Sequence, residues 1–121
     1  MFKLTTTLTM AAAALLAPSV PAHAYTYNHG AISIGNNNTH AAIVVNYLTW
    51  QDAAEAANRR CGFTDCGYVL TFMNQCGAAA VSRYGHWGWA RESTLFSADR
   101  VAESWAGPGA YVVVDGCTDG A

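Results

Sequence analysis

Most of this 121-residue chain runs twice through one pattern, and that repetition restricts its fold more than any other feature. One run opens on Gly30-Ala31-Ile32-Ser33-Ile34, the other on Gly77-Ala78-Ala79-Ala80-Val81. A polar turn follows each opening, Gly35-Asn36-Asn37-Asn38 in the first and Ser82-Arg83-Tyr84-Gly85 in the second. Apolar stretches then return as Ala41-Ala42-Ile43-Val44-Val45-Asn46 and His86-Trp87-Gly88-Trp89-Ala90. Asn- and Gly-rich turns between apolar runs are a hairpin signal. Helical spacing comes next. Thr49 with Asp52 resembles a capping box, and Trp50, Ala53, Ala54 and Ala57 share one face. In the second run Thr94 is the expected cap, with Leu95, Val101, Ala102 and Trp105 expected inward. Tyr68-Val69-Leu70-Thr71-Phe72 and Tyr111-Val112-Val113-Val114 close the two runs as strands. The expected fold is α+β, a pseudo-twofold ββαβ-ββαβ domain with halves at about 29–75 and 76–118. Its natural layering is a mostly antiparallel sheet with two helices packed on one face. Two repeats are too few for a solenoid.

The segment ahead of these halves reads as an export signal. Lys3 supplies a positive start, an apolar stretch runs from Leu8 to Ala17, and Ala22-His23-Ala24 fits an A-x-A cleavage site. Spanning a bilayer takes about 20 apolar residues, more than this stretch offers. Residues 1–24 are therefore expected to be a cleaved signal, leaving one domain over 25–121, extracellular or in the periplasm or cell envelope, without membrane insertion. Tyr25 to His29 reads as a short polar tether. Lys3 is the only lysine, so the exported part carries Arg59, Arg60, Arg83, Arg91 and Arg100 against the chain's eight acids. That balance speaks against nucleic acid and anionic membranes as partners.

A domain of about 100 residues has a small core and gains from covalent staples. Cys61, Cys66, Cys76 and Cys117 all fall in the exported part, an even number for an oxidising compartment. Four cysteines allow three pairings. Cys76 and Cys117 sit at equivalent places, each just beyond the closing strand of a run, which favours pairing them and leaves Cys61–Cys66 as a local clip. The second half lacks an equivalent clip; Ala106 and Gly109 stand near those places.

Several stretches together are distinctive: Gly30-Ala31-Ile32, the Ala53-Ala54-Glu55-Ala56-Ala57 helix ending at Cys61, and Gln75-Cys76-Gly77-Ala78-Ala79-Ala80-Val81. With His86-Trp87-Gly88-Trp89-Ala90 and Val112-Val113-Val114-Asp115-Gly116-Cys117, they resemble the small secreted bacterial domains catalogued as domain of unknown function 4189. The resemblance runs from about His29 to Cys117. It implies export and paired cysteines, and it carries no catalytic residues over. Members often place an aromatic before Gly-Ala-Ile, where this chain has His29, and many carry extra cysteines in the second half that are absent here.

Among candidate sites, Tyr84, His86, Trp87 and Trp89 stand out as a possible binding surface. Strand alternation puts Trp87 and Trp89 on one face and His86 and Gly88 on the other. Exposed, the two indoles would form a platform for sugar rings or a partner's apolar side chains; the alternative is that they pack as core under the helices. Trp50 and Trp105 are expected in the core. His29, His40 and His86 show no HxH or HExxH spacing, and the cysteines form no CxxC pair, so no metal and no cofactor is expected. Ser93, Ser97 and Ser104 lie near Glu92, Asp99 and Glu103, but no G-x-S-x-G elbow accompanies them. Glu55 and Glu103, related by the repeat, read as solvated charges on polar helix faces. The functional expectation is therefore a protein- or envelope-interaction module without catalysis, its partner a protein or an envelope glycan. The alternative is a small secreted hydrolase or inhibitor-like factor.

Overall fold

In a computed structural model the described residues are 27–121, so the expected signal over 1–24 and its cleavage point lie outside them. Eight elements follow in order: β1 (His29–Gly35), β2 (His40–Tyr47), α1 (Trp50–Cys61), β3 (Gly67–Met73), β4 (Cys76–Val81), β5 (Trp87–Glu92), α2 (Leu95–Ala106) and β6 (Tyr111–Cys117). Both helices begin as their sequences dictate. Thr49 Oγ1 accepts from the Asp52 amide and Thr94 Oγ1 from the Ser97 amide, each cap residue holding an extended backbone. Gly62 ends α1 in the left-handed conformation, at φ 83°.

The strands form two three-stranded antiparallel sheets, ordered β2-β1-β3 and β5-β4-β6, where a single sheet was expected. Each half is therefore ββαβ, its helix crossing the central strand to bring the last strand to the far edge. The helices do not share one face. Ala31 packs with Ala53 and Ala57 of α1, whereas its neighbour Ile32 packs with Phe72 and Ala79 between the sheets. In the second half Ala78 and Ala80 meet Ala98, Ala102 and Ala106 of α2, while Ala79 points into the inter-sheet layer. The layers thus run α1, first sheet, second sheet, α2. Successive strand residues point to opposite faces, so a central strand covered on both sides must be apolar throughout. β1 and β4 are buried along nearly their whole length.

Small residues set the layer spacings. A Cβ at Gly88 would collide with the backbone of Ala102 and Ala106, so α2 lies directly on β5. Trp105 finds no room beneath a helix this close; its indole is 74% exposed, contrary to the expected core position. Trp50, at the first turn of α1, is also exposed, and the buried stripe of α1 is Ala53, Ala54, Ala56, Ala57 and Cys61. Leu95 too lies at the surface. Between the sheets, the Phe72 ring occupies the space where Cβ atoms at Gly30 and Gly77 would stand. One aromatic side chain thereby locks the central strands of both sheets together.

The disulfides are Cys61–Cys66 and Cys76–Cys117, as the sequence favoured. The geometry of the second differs from that expected. Cys76 opens β4 and Cys117 closes β6, and the two stand directly opposite in one ladder with Cα atoms 3.9 Å apart. In the first half the corresponding opposite pair is His29 and Met73. Cys66 precedes β3 as Ala110 precedes β6, so Ala106 and Ala110, rather than Gly109, match the clip. The expected tether is shorter than its sequence suggests, because Asn28 is buried: its amide donates to Asn74 Oδ1 (3.0 Å) and its Nδ2 to the Asp119 carbonyl (3.3 Å).

Candidate functional site

Stacking the sheets lays β2 against β6 on one side and β3 against β5 on the other. These two seams correspond when the halves are exchanged, yet their side chains differ. On the β2/β6 seam Ile43 and Val45 reach Gly116 closely enough to touch a Cβ placed there, at 3.5 and 3.8 Å. On the β3/β5 seam the corresponding positions carry Trp89, Arg91 and Phe72, as the strand registers show. The first seam is filled with small aliphatic groups. The second carries large ones and opens into two clefts.

One cleft, of about 460 Å³, is lined by Ile34, Asn38, Val69, Gly85, His86, Trp87 and Trp89. It gathers three of the four residues singled out in the sequence. Gly88 and Ala90 face α2, so alternation turns Trp87 and Trp89 away from the helix and toward the other sheet. Trp87 is half-buried against the inter-sheet core, and its Nε1–H donates to the Asn38 carbonyl oxygen (2.8 Å). Trp89 is 38% exposed. His86 stands at the surface just ahead of β5, its amide donating to Ser82 Oγ (3.1 Å). Tyr84 lies outside the cleft on the turn, exposed beneath the Arg83 guanidinium, which sits 5.7 Å from its ring centre.

A chain of contacts holds one wall of this cleft in place. Asn36, Asn37 and Asn38 all take positive φ, between 55° and 63°, which costs energy in residues other than glycine. Asp65 offsets that cost: its carboxylate accepts from the Asn36 amide (2.6 Å) and the Asn37 amide (2.7 Å). Those two bonds, the Asn37 one first, hold the Asp65 carboxyl below the ordinary aspartate range. Asp65 itself lies in the loop closed by Cys61–Cys66, and the Cys66 sulfur packs where a Cβ on Gly35 would be. The local disulfide therefore positions Asp65, Asp65 holds the asparagine turn, and the turn presents Asn38 to the Trp87 indole.

A second cleft, about 510 Å³, lies at the β3 edge toward α1 and is lined by His29, Trp50, Tyr68, Thr71, Phe72, Met73, Gln75 and Arg91. The Trp50 and Tyr68 rings form one wall, 6.0 Å apart and tilted by 51°. Arg91 Nη1 donates to the Thr71 carbonyl (2.9 Å), linking the two edge strands. Reading the sequence for sites missed Arg91, although its signal was present: the period-two row of Trp87 and Trp89 continues to Arg91. Asn38, Trp50 and Tyr68 come to the two clefts through the fold and had no local signal.

Elsewhere, Glu55 pairs with Arg59 (3.9 Å) on the exposed face of α1, whereas Glu103 lies on α2 over the other sheet. The fold does not bring these two carboxylates together. Glu103 has Asp99 for a neighbour instead. Burial, and then a hydrogen bond shared with Asp115, push the Asp99 carboxyl up to about 6. Ser97 Oγ donates to Glu92 Oε1 (3.4 Å), a first-turn contact of α2 with no histidine beside it. His29 and His86 line different clefts, and His40 stacks edge-on against Phe63 with ring centres 5.4 Å apart. Among the described residues no three His, Cys, Asp or Glu side chains are grouped as metal ligands.

A disulfide-stapled α/β/β/α domain with an open aromatic seam is the class that fold and site define. Residues 29–117 match the model of the family described as Domain of unknown function (DUF4189), and the chain belongs to that family. No curated protein and no solved structure matches it.

Proposed function

We propose that this protein is an exported binding module that recognises a glycan of the cell envelope along the β3/β5 seam, without catalysing a reaction on it. The observation that carries this reading is exposed Trp89 beside half-buried Trp87, in a cleft whose polar lining residues are His86 and Asn38. A pyranose presents a C–H face to an indole and hydroxyls around its rim. A few polar groups beside a flat apolar surface therefore suit it. Two disulfides favour an oxidising compartment, and no helix among the described residues is long and apolar enough to cross a membrane.

The glycan reading is preferred over a protein partner because the seam is a pair of clefts with polar rims rather than a flat apolar patch of interface size. The test is retention of the oxidised protein on immobilised envelope polysaccharide, comparing wild type with Trp89→Ala. Loss of at least tenfold in affinity, with an unchanged unfolding midpoint, supports the assignment. Equal retention by the variant, or no retention of the wild type on any envelope glycan, contradicts it.

A further inference from the structure

We propose that the seam selects an acidic glycan, Trp89 carrying a sugar ring and Arg91 reading a carboxylate on a neighbouring unit. This rests on the glycan reading above and specifies its ligand. Trp87, Trp89 and Arg91 occupy alternate positions of β5, so their side chains leave one face of the strand at steps of about 6.8 Å. Both flanks of that row are open: the 460 Å³ cleft lies beside Trp87 and Trp89, and the 510 Å³ cleft beside Arg91.

Charge is distributed unevenly between the seam and the rest of the molecule. The chain has eight acids against six basic residues, yet no Asp or Glu lines either cleft, while Arg91, His29 and His86 do. Arg91 has no carboxylate partner; among the described residues the ion pair is Arg59–Glu55, on α1. One of its five N–H donors is spent on the Thr71 carbonyl, which holds the guanidinium in place and leaves the rest of the planar fork for an incoming anion. A uronate-type carboxylate matches that fork bidentately, and a neutral sugar does not.

The experiment is calorimetric titration of the oxidised protein with an oligogalacturonate hexamer and with its carboxyl-reduced, neutral counterpart. For wild type, the acidic hexamer should bind at least tenfold tighter at low salt, with the difference shrinking as salt rises. Arg91→Gln should bring the two ligands within about twofold of each other, and Arg91→Lys should keep part of the preference. Trp89→Ala should weaken both ligands by a similar factor. Equal binding of both hexamers by wild type overturns the acidic selection and leaves the glycan reading standing. Loss of both ligands in Arg91→Gln also overturns it, because Arg91 would then be supporting the seam rather than reading charge. Binding of neither hexamer by wild type also overturns the acidic selection, while retention on immobilised envelope polysaccharide decides the glycan reading separately.

Discussion

Phe72 shows how much one side chain can decide here. Its ring fills the gap that Gly30 and Gly77 leave in the two central strands, so replacing any of the three disturbs both sheets. Phe72→Ala should cost about 3–5 kcal/mol, the range for emptying a buried aromatic site, read as a lower denaturant midpoint at unchanged slope. Gly77→Val should destabilise as well, by forcing the ring out. A second residue-scale prediction concerns pH. Asp99 is held up to about 6 by burial and by its bond to Asp115, above its ordinary value of 3.8. The folded state therefore keeps a proton that the unfolded chain has already released. Stability from this group is full below about pH 4 and falls as pH rises toward 6. Asp99→Asn should remove that decline, and the variant should be more stable than wild type at pH 7.5. Urea melts at pH 4.5 and 7.5 check the sign; a wild type that gains stability over this interval through Asp99 would contradict it.

At the scale of elements, the clip, the asparagine turn and the cleft behave as one unit. Asp65→Ala removes two bonds from amides whose backbone lies in the left-handed region. Hydrogen exchange at Asn36 and Asn37 should accelerate by about tenfold, the equivalent of roughly one hydrogen bond each, and glycan affinity should fall with it. Because the Asp65 carboxyl is held below its ordinary value, the same loosening should occur in wild type only in strong acid, as pH falls through that lowered value. Unchanged exchange in Asp65→Ala would disconnect the clip from the site.

Much of this level was legible in the sequence. Both N-caps, all six strands and the turn at Gly35–Asn38 were signalled by local chemistry. The stacking of two sheets was not. β1 and β4 are covered on both faces, so Gly30-Ala31-Ile32 and Gly77-Ala78-Ala79 show no alternation that could say which face meets which neighbour. The tryptophans were misjudged for a related reason. Large apolar residues suggest core, but α1 and α2 approach their sheets through alanine, which leaves Trp50 and Trp105 outside. Gly88 and Ala90 carried the missing information, since only small residues fit beneath a helix that close.

Across the whole molecule, two ββαβ halves close one seam with Ile43, Val45 and Gly116 and leave the other open around Trp89, Arg91 and Phe72. The site arises where the correspondence between the halves breaks. The Cys76–Cys117 bridge closes a loop of 41 residues and ties the ends of β4 and β6 together. Its removal by paired Ser substitution should cost about 4 kcal/mol on the chain-entropy model, leaving Cys61–Cys66 intact. The seam shares β5 with that sheet, so binding should be lost only as the domain unfolds.

Nitrogen-labelled protein offers the most direct test of the seam, because its four indole N–H groups report from different faces of the fold. During titration with the oligogalacturonate hexamer, the Trp89 and Trp87 resonances should shift first and furthest, and Trp50 should follow as the second cleft fills. Trp105, exposed at the end of α2, should stay in place. Shifts at Trp105 with Trp87 and Trp89 unmoved, or no shift at any indole, would contradict the assignment of function to the β3/β5 seam.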